Sequence, residues 1–431
     1  MLSKKIRKVF AVLRRNYHIA TEWTLTTISE WLFRYSGGAK GLFKVWLPLI
    51  KVLGLNYAVV KSHKVYCEEN SLSYQELKKY RKGVSVGLVY DNEQDPKVES
   101  VDMPDLFVSH LKNVVIHSQT DMIRNIDQHV IVNDFAYQMD DTIFANPKIV
   151  VMRQKNRLAL VRDNLPFGED IEEGIMIVTN FSNNYYHILY EVLINLFVYQ
   201  QFDLPKNVPL LIDDCIKNVP SFKAIFDNTL TTDRPIKWVA PDKYYRVGSI
   251  YYLSHVNIIP PQLMDQSRMK LTDFGFDVEV MQQYKSVLLK NSKTVESPKR
   301  IFISRRGHSR RKYNEESLFE VAKKYGFERL SPENYTFEEQ MSIFSNADII
   351  IGATGAAFAN LLFAKPNSVA ICLMGEKIEI PIFTIGSYMA DSKLIYIIGK
   401  RSKLNSNDFS FQADFSIDPV KLENILKEVA S

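Results

Sequence analysis

Two side chains that could exchange a proton stand one helical turn apart near the middle of the chain. His187 and Glu191 are four residues apart in the segment "NNYYHILYE", so a helix would place them on one face. A histidine oriented by a carboxylate is a typical general base. The same spacing suits a buried histidine beside a surface acid, so spacing alone leaves both interpretations open. The zinc motif His-Glu-x-x-His does not occur here.

A second group of residues could bind an anion through the backbone. Gly355, Ala356 and Ala357 follow the apolar run "DIIIGAT" and precede "FANLLFA", which predicts a strand passing into a helix through its smallest residues. Free N–H groups at the start of a helix favour a phosphate. The Lys-Ser/Thr ending of a P-loop is missing. Close packing of small residues is the alternative interpretation.

Arginines follow another predicted strand. "FISRR" places Ser304, Arg305 and Arg306 where that strand ends, and "SRRK" follows shortly after. The planar guanidinium group matches the oxygens of a phosphate. Arg305 leaves the strand first, and we therefore predict it as the main phosphate ligand. A solvated basic loop is the alternative.

The pattern of apolar runs indicates two α/β halves. Short apolar runs between about residues 84 and 254 predict strands, with one amphipathic helix over 183–202. A polar stretch at 262–298 separates them from a block in which apolar strands alternate with helices, a pattern typical of a parallel sheet covered on both faces. Within this block Thr336 and Glu339 have the spacing of a capping box, Asn314 is the expected N-cap of a helix, and Gly326 its stop. Ligands of such sheets bind at the carboxyl ends of the strands.

Composition limits the functional classes. The chain has 431 residues, enough for two domains and an appendage, and three widely separated cysteines that form no metal spacing or disulfide framework. The net charge of +5 is concentrated in residues 1–60, which hold ten Lys/Arg and two acids. The nearly neutral remainder argues against a nucleic-acid binder. No Gly-x-Gly-x-x-Gly follows a strand and no Asp-x-Asp motif stands out, so we expect neither a nicotinamide or flavin cofactor nor a metal.

The basic N-terminal segment is also rich in tryptophan. Trp23, Trp31 and Trp46, three of the four tryptophans, lie among its basic residues, a composition typical of a helix at a membrane surface. Lys44 and Lys51 interrupt its most apolar part, which is then too short to span a bilayer. We predict a helical, uncleaved segment in peripheral contact with a membrane. An ordinary helical subdomain is the alternative.

Several motifs in order resemble glycosyltransferase family 61, the capsular-polysaccharide-biosynthesis type. They are "NYYHILYEVL", strand–Ser-Arg, Asn-Glu, Phe-x-Glu-Gln and Gly-Ala-x-x-x-Asn, and they lie between roughly residues 175 and 372. Residues 1–150 carry no such signal. The resemblance implies a GT-B-like fold, with two Rossmann-like domains facing a cleft and the donor mostly on the C-terminal one. It also implies an inverting, metal-independent transferase.

The resemblance also implies roles for individual residues. The donor diphosphate would be held by Arg305 and the Gly355-Ala356-Ala357 turn, with Ser304, Arg306 and Thr354 beside them, and Asn360 would stabilise the turn. His187, oriented by Glu191, would be the base that faces the acceptor, and Glu191 itself is the alternative base. The chain departs from the family at Thr354, where a histidine is common, and at Leu193-Ile194-Asn195, where the family often reads Leu-Pro-Arg.

These observations lead to one combined prediction. Residues 1–60 form the membrane-associated segment, 61–270 an acceptor domain, 271–415 a Rossmann-like donor domain, and 416–431 a C-terminal helix. The protein would move a sugar from a nucleotide-sugar to a glycan or lipid-linked glycan acceptor. It would build capsular or other surface polysaccharide at the inner face of the cell membrane. A phospho-sugar or polyol-phosphate transferase and a non-catalytic scaffold of a polysaccharide assembly complex are the alternatives.

Overall fold

The computed structural model of the protein describes residues 55–90, 95–134, 137, 150–154, 158–162, 166–231, 233–260, 270–306, 311–376, 381–401 and 413–430. The predicted α/β class is confirmed. The predicted membrane-associated segment lies outside the described residues as far as residue 54, and residues 55–60 belong to a strand. Within the described ranges, no helix combines the length and apolar character needed to cross a membrane.

A large mixed sheet occupies the first half. In the described part of the chain it has eleven strands: β1 (Leu55–Lys61), β2 (Ser73–Lys78), β5 (Leu106–His117), β6 (Ile123–Asn125), β7 (Val130–Val132), β8 (Val150–Gln154), β9 (Leu158–Arg162), β10 (Phe167–Met176), β11 (Leu210–Asp213), β12 (Ile236–Val239) and β13 (Tyr244–Leu253). Their order is β12-β11-β10-β13-β5-β6-β7-β1-β9-β8, with β2 paired to β5. β3 (Arg81–Val86) and β4 (Val98–Met103) form a separate hairpin.

Only one end of this sheet is a run of parallel neighbours. β12, β11, β10 and β13 are parallel, and helices connect β10 to β11 and β11 to β12. The first connection is the helix predicted over 183–202. It consists of α2 (Tyr185–His187), a π-helical turn (Ile188–Val192) and α3 (Leu193–Tyr199). The Asn184 side chain caps its start by accepting from the Tyr186 N–H at 2.9 Å.

The remaining helices of the first half are short and packed on the core. They are α1 (His63–Glu69), α4 (Cys215–Asn218), α5 (Pro220–Thr229) and α6 (Val278–Leu289). Helix α6 lies inside the stretch 262–298, which its polarity had marked as a mere separator. The helix forms there because Met281, Tyr284 and Leu288 make an apolar face that is buried.

The second half has the predicted parallel sheet. Its strands are β14 (Arg300–Ile303), β15 (Glu328–Leu330), β16 (Ile349–Ala353), β17 (Val369–Gly375), β18 (Lys393–Arg401) and the antiparallel edge strand β19 (Phe415–Ser416). The order β15-β14-β16-β17-β18-β19 reverses direction between β14 and β16. Open α/β sheets bind ligands at this kind of switch point, beyond the carboxyl ends of the strands.

The helix boundaries of the second half largely follow the capping and stop residues that the sequence predicted. Its helices are α7 (Glu315–Lys324), α8 (Phe337–Asn346), α9 (Thr384–Met389) and α10 (Pro419–Val429). Thr336 and Glu339 form the predicted capping box, with bonds of 3.3 and 2.8 Å. Asn314 occupies the N-cap position of α7 without a capping side-chain bond, and Gly326 has φ +78° just beyond that helix. The helix predicted after Gly355 is a 3₁₀ helix, Ala356–Phe363.

One apolar cluster joins the two halves. It contains Ile177 and Tyr190 of the first half and Ile303, Phe358 and Tyr396 of the second, each at most 3% exposed. Burying one large apolar side chain contributes about 1.5–3 kcal/mol, so a cluster of this kind holds the halves firmly together.

Candidate functional site

Arg305 lies at the switch point of the second sheet. It follows β14, and its Nη1 donates to the carbonyl of Thr354, which follows β16, at 3.3 Å. A Cβ on Gly355 would overlap that same Nη1, so glycine is needed for the guanidinium to lie there. The Nε of Arg305 is buried and has no hydrogen-bond partner among the described residues. Burial lowers the pKa of Arg305, but an arginine keeps its charge at neutral pH.

The backbone around Arg305 is held by a carboxylate that the sequence analysis did not single out. Ser304 Oγ donates to Glu315 Oε1 at 2.6 Å, and the Arg305 N–H donates to Oε2 at 2.9 Å. Ser304 Oγ also accepts from the Arg306 N–H at 3.2 Å. The hydroxyl predicted to meet the donor is therefore occupied in shaping the turn. Glu315 belongs to the Asn-Glu motif, which was the available signal.

Arg306 lies apart from this group. Its Nε donates to Glu316 Oε1 at 2.7 Å, and its side chain is 59% exposed. The structure thus brings Arg305, Thr354 and Gly355 together and places Arg306 in a surface ion pair.

The turn after β16 presents unpaired backbone donors. The first 3₁₀ bond runs from the Phe358 N–H to the Gly355 carbonyl at 3.0 Å. Within the described ranges, the N–H groups of Ala356 and Ala357 donate to no backbone acceptor. Both residues are half-buried. Two free N–H groups beside a buried guanidinium form an arrangement suited to an anion.

A chain of hydrogen bonds ties this turn to the first half. The Tyr185 hydroxyl donates to Asn360 Oδ1 at 2.5 Å, and Asn360 Nδ2 donates to Gln340 Oε1 at 2.9 Å. Gln340 Nε2 then donates to the carbonyls of Pro332 and Tyr335 at 2.9 and 3.1 Å. Asn360 is fully buried. Its amide joins the 3₁₀ helix to the helix that carries His187.

His187 and Glu191 form the predicted pair. His187 Nδ1 and Glu191 Oε2 are hydrogen-bonded across one turn, and Glu191, in the π-helical turn, is 6% exposed. Because a carboxylate can only accept, Nδ1 carries the hydrogen, and in the neutral imidazole Nε2 then keeps its lone pair. Nε2 makes no hydrogen bond within the described part of the chain. The pair therefore has the form of a base with its orienting carboxylate.

A cavity of 680 Å³, including its open mouth, lies beside Glu191 in the first half. We call it the first-half cavity. It combines apolar walls with three carboxyl groups, and it is lined by Pro104, Phe107, Asp121, Asn133, Asp134, Asn180, Glu191, Tyr252, Ser254, His255, Asn257, Ile258 and Ile259. Of these lining residues, only Glu191 was predicted from the sequence as a site residue. Among the described residues, no cluster of three or more His, Cys, Asp and Glu side chains could hold a metal ion.

Asp121 and His255 form a fully bonded group in this cavity. Asp121 accepts from His255 Nε2 at 2.9 Å, Asn180 Nδ2 at 2.5 Å and Asn133 Nδ2 at 3.1 Å. Burial raises the pKa of Asp121, but these bonds and the charge of His255 outweigh it, so the pKa lies below its usual value.

The other ring nitrogen of His255 is also occupied. His255 Nδ1 faces Asn195 Nδ2 at 3.2 Å, and Asn195 Oδ1 accepts from the Val256 N–H at 3.0 Å. Asn195 stands at the position where the family often has arginine, and here it orients His255. Because both ring nitrogens of His255 are engaged, neither is available to accept a proton from a substrate.

Asp134 is held more loosely. It accepts from the His63 N–H at 3.4 Å, and burial raises its pKa to about 7 against the opposing effects of that bond and of the His255 charge. His63 is completely buried, stacks on Tyr252 at 4.1 Å and bonds Ser109 Oγ through Nδ1 at 2.7 Å. Burial lowers the pKa of His63 to about 3, so the imidazole next to Asp134 is neutral.

Comparison with known proteins gives a family match over the segment that contains much of this site. Residues 185–371 match the Glycosyltransferase 61 family, a segment that covers somewhat less than half of the chain. A comparison with curated proteins gave no match. The family segment begins at Tyr185, whose hydroxyl meets Asn360, and it contains both the His187–Glu191 pair and the Arg305 turn. The His187–Glu191 pair and the Arg305 turn therefore both lie in the segment that is similar to glycosyltransferase family 61, and this match supports the identification of the protein as a glycosyltransferase.

Proposed function

We propose that the protein transfers a sugar from a nucleotide-sugar donor to a hydroxyl group of a glycan acceptor, with the donor diphosphate bound at the Arg305 turn. The observation that most strongly supports this proposal is the environment of the Arg305 side chain. Its Nη1 is held by the Thr354 carbonyl while its buried Nε has no partner among the described residues. A buried, oriented guanidinium with a free donor, next to the N–H groups of Ala356 and Ala357, fits the oxygens of a diphosphate.

The reaction we propose is a single displacement. The acceptor oxygen attacks the anomeric carbon of the donor, and its proton passes to His187 Nε2. The bond between the anomeric carbon and the diphosphate oxygen breaks, the nucleotide diphosphate leaves with the electron pair, and the anomeric configuration inverts. Glu191 stabilises the imidazolium, while Arg305 stabilises the leaving group. Glu191 is the alternative base, because it lines the first-half cavity.

The resemblance to the family supports two further proposals. The first is a GT-B-like division, in which the second half binds the donor and the first half binds the acceptor. The second is a reaction that needs no metal ion. The basic, tryptophan-rich composition of residues 1–60 supports peripheral contact with the inner face of the cell membrane. The acceptor would then be a lipid-linked or growing glycan of a capsule or another surface polysaccharide.

Donor-dependent thermal stabilisation tests this function. The full chain is heated with UDP-, GDP- and CMP-linked sugars in the presence of EDTA, alongside Arg305→Ala and the control Lys323→Ala, an exposed residue of α7. A ligand at 100 times its Kd stabilises the folded state by about 2.7 kcal/mol. We expect one donor class to raise the melting temperature of the wild type and the control but not of Arg305→Ala. A folded protein that responds to no donor would contradict the proposal and favour the scaffold.

A further inference from the structure

We propose that the first-half cavity binds an uncharged sugar ring, whose hydroxyl groups are held by Asp134 and Glu191. This inference rests on the proposed function and specifies the acceptor as a neutral pyranoside rather than an acidic or phosphorylated sugar.

Most polar groups of the cavity are already used by the protein. Asp121 accepts three hydrogen bonds, and both nitrogens of His255 are engaged. Asn257 Nδ2 donates to the Tyr190 carbonyl at 2.8 Å, and Asn257 Oδ1 accepts from the Asp277 N–H at 3.0 Å. These groups shape the cavity and leave little capacity for a ligand.

Two carboxyl groups of the cavity, those of Asp134 and Glu191, can still accept hydrogen bonds from a ligand. Asp134 accepts a long bond of 3.4 Å from the His63 N–H, and its side chain is 23% exposed. Glu191 uses Oε2 for His187, and its Oε1 makes no hydrogen bond within the described ranges. Ionised carboxylate oxygens only accept, and the carboxyl group of Asp134, whose pKa is about 7, can accept in either protonation state. A ligand that complements them must therefore bring donors, as the hydroxyl groups of a sugar do.

The apolar walls and the charge of the cavity further restrict the class of ligand that it can bind. Phe107, Tyr252 and Ile259 offer apolar surface to the C–H face of a ring, as the apolar walls of small-molecule sites do. No lysine or arginine is among its described lining residues, whereas three carboxyl groups are. A carboxylate or phosphate on the ligand would lose its hydration and meet these carboxyl groups, while His255, the cationic side chain of the lining, is already hydrogen-bonded to Asp121. The cavity therefore favours a neutral ring and leaves phosphate to the Arg305 turn.

Ligand-detected saturation-transfer NMR tests this inference on the full chain. The neutral probes are methyl glycosides of glucose, galactose, mannose, N-acetylglucosamine and xylose, and the charged probes are methyl glucuronide and glucose 6-phosphate. The variants are Asp134→Asn and Ile259→Trp, of which the second fills the cavity and leaves its carboxyl groups in place. The control is Asp127→Asn, which replaces an exposed acid in the turn between β6 and β7. We expect a neutral glycoside to bind the wild type and Asp127→Asn, to bind Asp134→Asn at least tenfold more weakly, and not to bind Ile259→Trp. Neither charged probe should bind.

Three results would overturn the inference: no neutral probe binds, a charged probe binds equally well, or the folded Asp134→Asn and Ile259→Trp variants both bind like the wild type. The donor experiment is repeated on Asp134→Asn to separate this failure from failure of the proposed function. Normal donor stabilisation without glycoside binding would reject the cavity and leave the transferase proposal intact. Glycoside binding without any donor response would support the cavity and reject the nucleotide-sugar donor.

Discussion

Gly355 shows how one missing methyl group permits a binding geometry. Its backbone is extended, at φ 173°, which any residue adopts, but a Cβ would overlap Arg305 Nη1. The guanidinium is the flexible end of a side chain and can move aside, so Gly355→Ala should change the free energy of unfolding by no more than about 0.5 kcal/mol. We expect donor affinity to fall about tenfold, or about 1.4 kcal/mol.

Calorimetric titration with the stabilising donor, together with urea unfolding, measures both quantities. The control is Gly87→Ala, since a Cβ there meets only contacts of 3.4 Å and longer. Unchanged donor affinity in Gly355→Ala would show that the observed position of Arg305 is not required.

Asp134 should make stability depend on pH. Its pKa is about 7 in the folded protein against 3.8 ordinarily, so between these values the folded state holds a proton that the unfolded state has lost. The free energy of unfolding therefore decreases as pH rises through this window. Asp134→Asn removes the effect, so its free energy of unfolding should increase by about 2.6 kcal/mol relative to that of the wild type between pH 5 and pH 8. Urea unfolding at both pH values measures this gain. A difference between Asp134→Asn and the wild type that stays constant with pH would contradict it, and Asp127→Asn, which replaces an exposed acid, is the control.

At the scale of elements, the helix that begins at Tyr185 is fastened to the 3₁₀ helix of the other half. Tyr185→Phe removes the hydrogen bond to Asn360 Oδ1 and leaves a buried oxygen without its donor, which costs about 1–3 kcal/mol. The neighbouring Tyr186 is also buried, but its hydroxyl has no partner among the described residues. Tyr186→Phe is therefore the matched control and should be neutral or slightly stabilising. Urea unfolding of both variants measures the difference, and equal losses would mean that the contact between the helices contributes nothing.

The elements that could be predicted are those whose signals are local. The Thr336–Glu339 capping box and the stop at Gly326 need only their own neighbours, and the Arg305 and Gly355 turns follow recognisable strands. The π-helical turn around Glu191 and the 3₁₀ form of Ala356–Phe363 depend on packing between the halves. Helix α6 was missed because the polar residues on both sides of it made the whole stretch 262–298 look polar, although Val278–Leu289 itself has only two charged residues.

The first-half cavity could not be predicted from local sequence patterns. Asp121, Asp134 and His255 stand alone in the sequence, without a motif. Pairing between distant strands brings them together, as β5 with β13 and β1 with β7. Periodicity shows that a strand face is buried but not which residues it will meet there. Their convergence on one cavity therefore becomes visible only in the folded chain.

At the scale of the whole molecule, one continuous apolar core extends across the domain boundary that we predicted at residues 270/271. Tyr190 and Phe276 pack in one cluster with Ile303, Phe358 and Tyr396. The Tyr396 N–H also donates to the Val89 carbonyl at 2.8 Å, and Thr384 Oγ1 donates to the Val86 carbonyl at 2.5 Å. Exposing one half to water would uncover the apolar face of the other, so neither half should unfold alone.

We therefore expect a single cooperative unfolding unit that responds as a whole to a ligand of one half. Hydrogen exchange followed by mass spectrometry should give peptides covering Leu210–Asp213 and Ile349–Ala353 the same global opening free energy. A donor bound at the Arg305 turn should raise both values by the same amount, because mass action stabilises the entire folded state. Extra protection confined to Ile349–Ala353 would show instead that the halves open independently despite their shared core, and that the helix of His187 could separate from the donor turn without global unfolding.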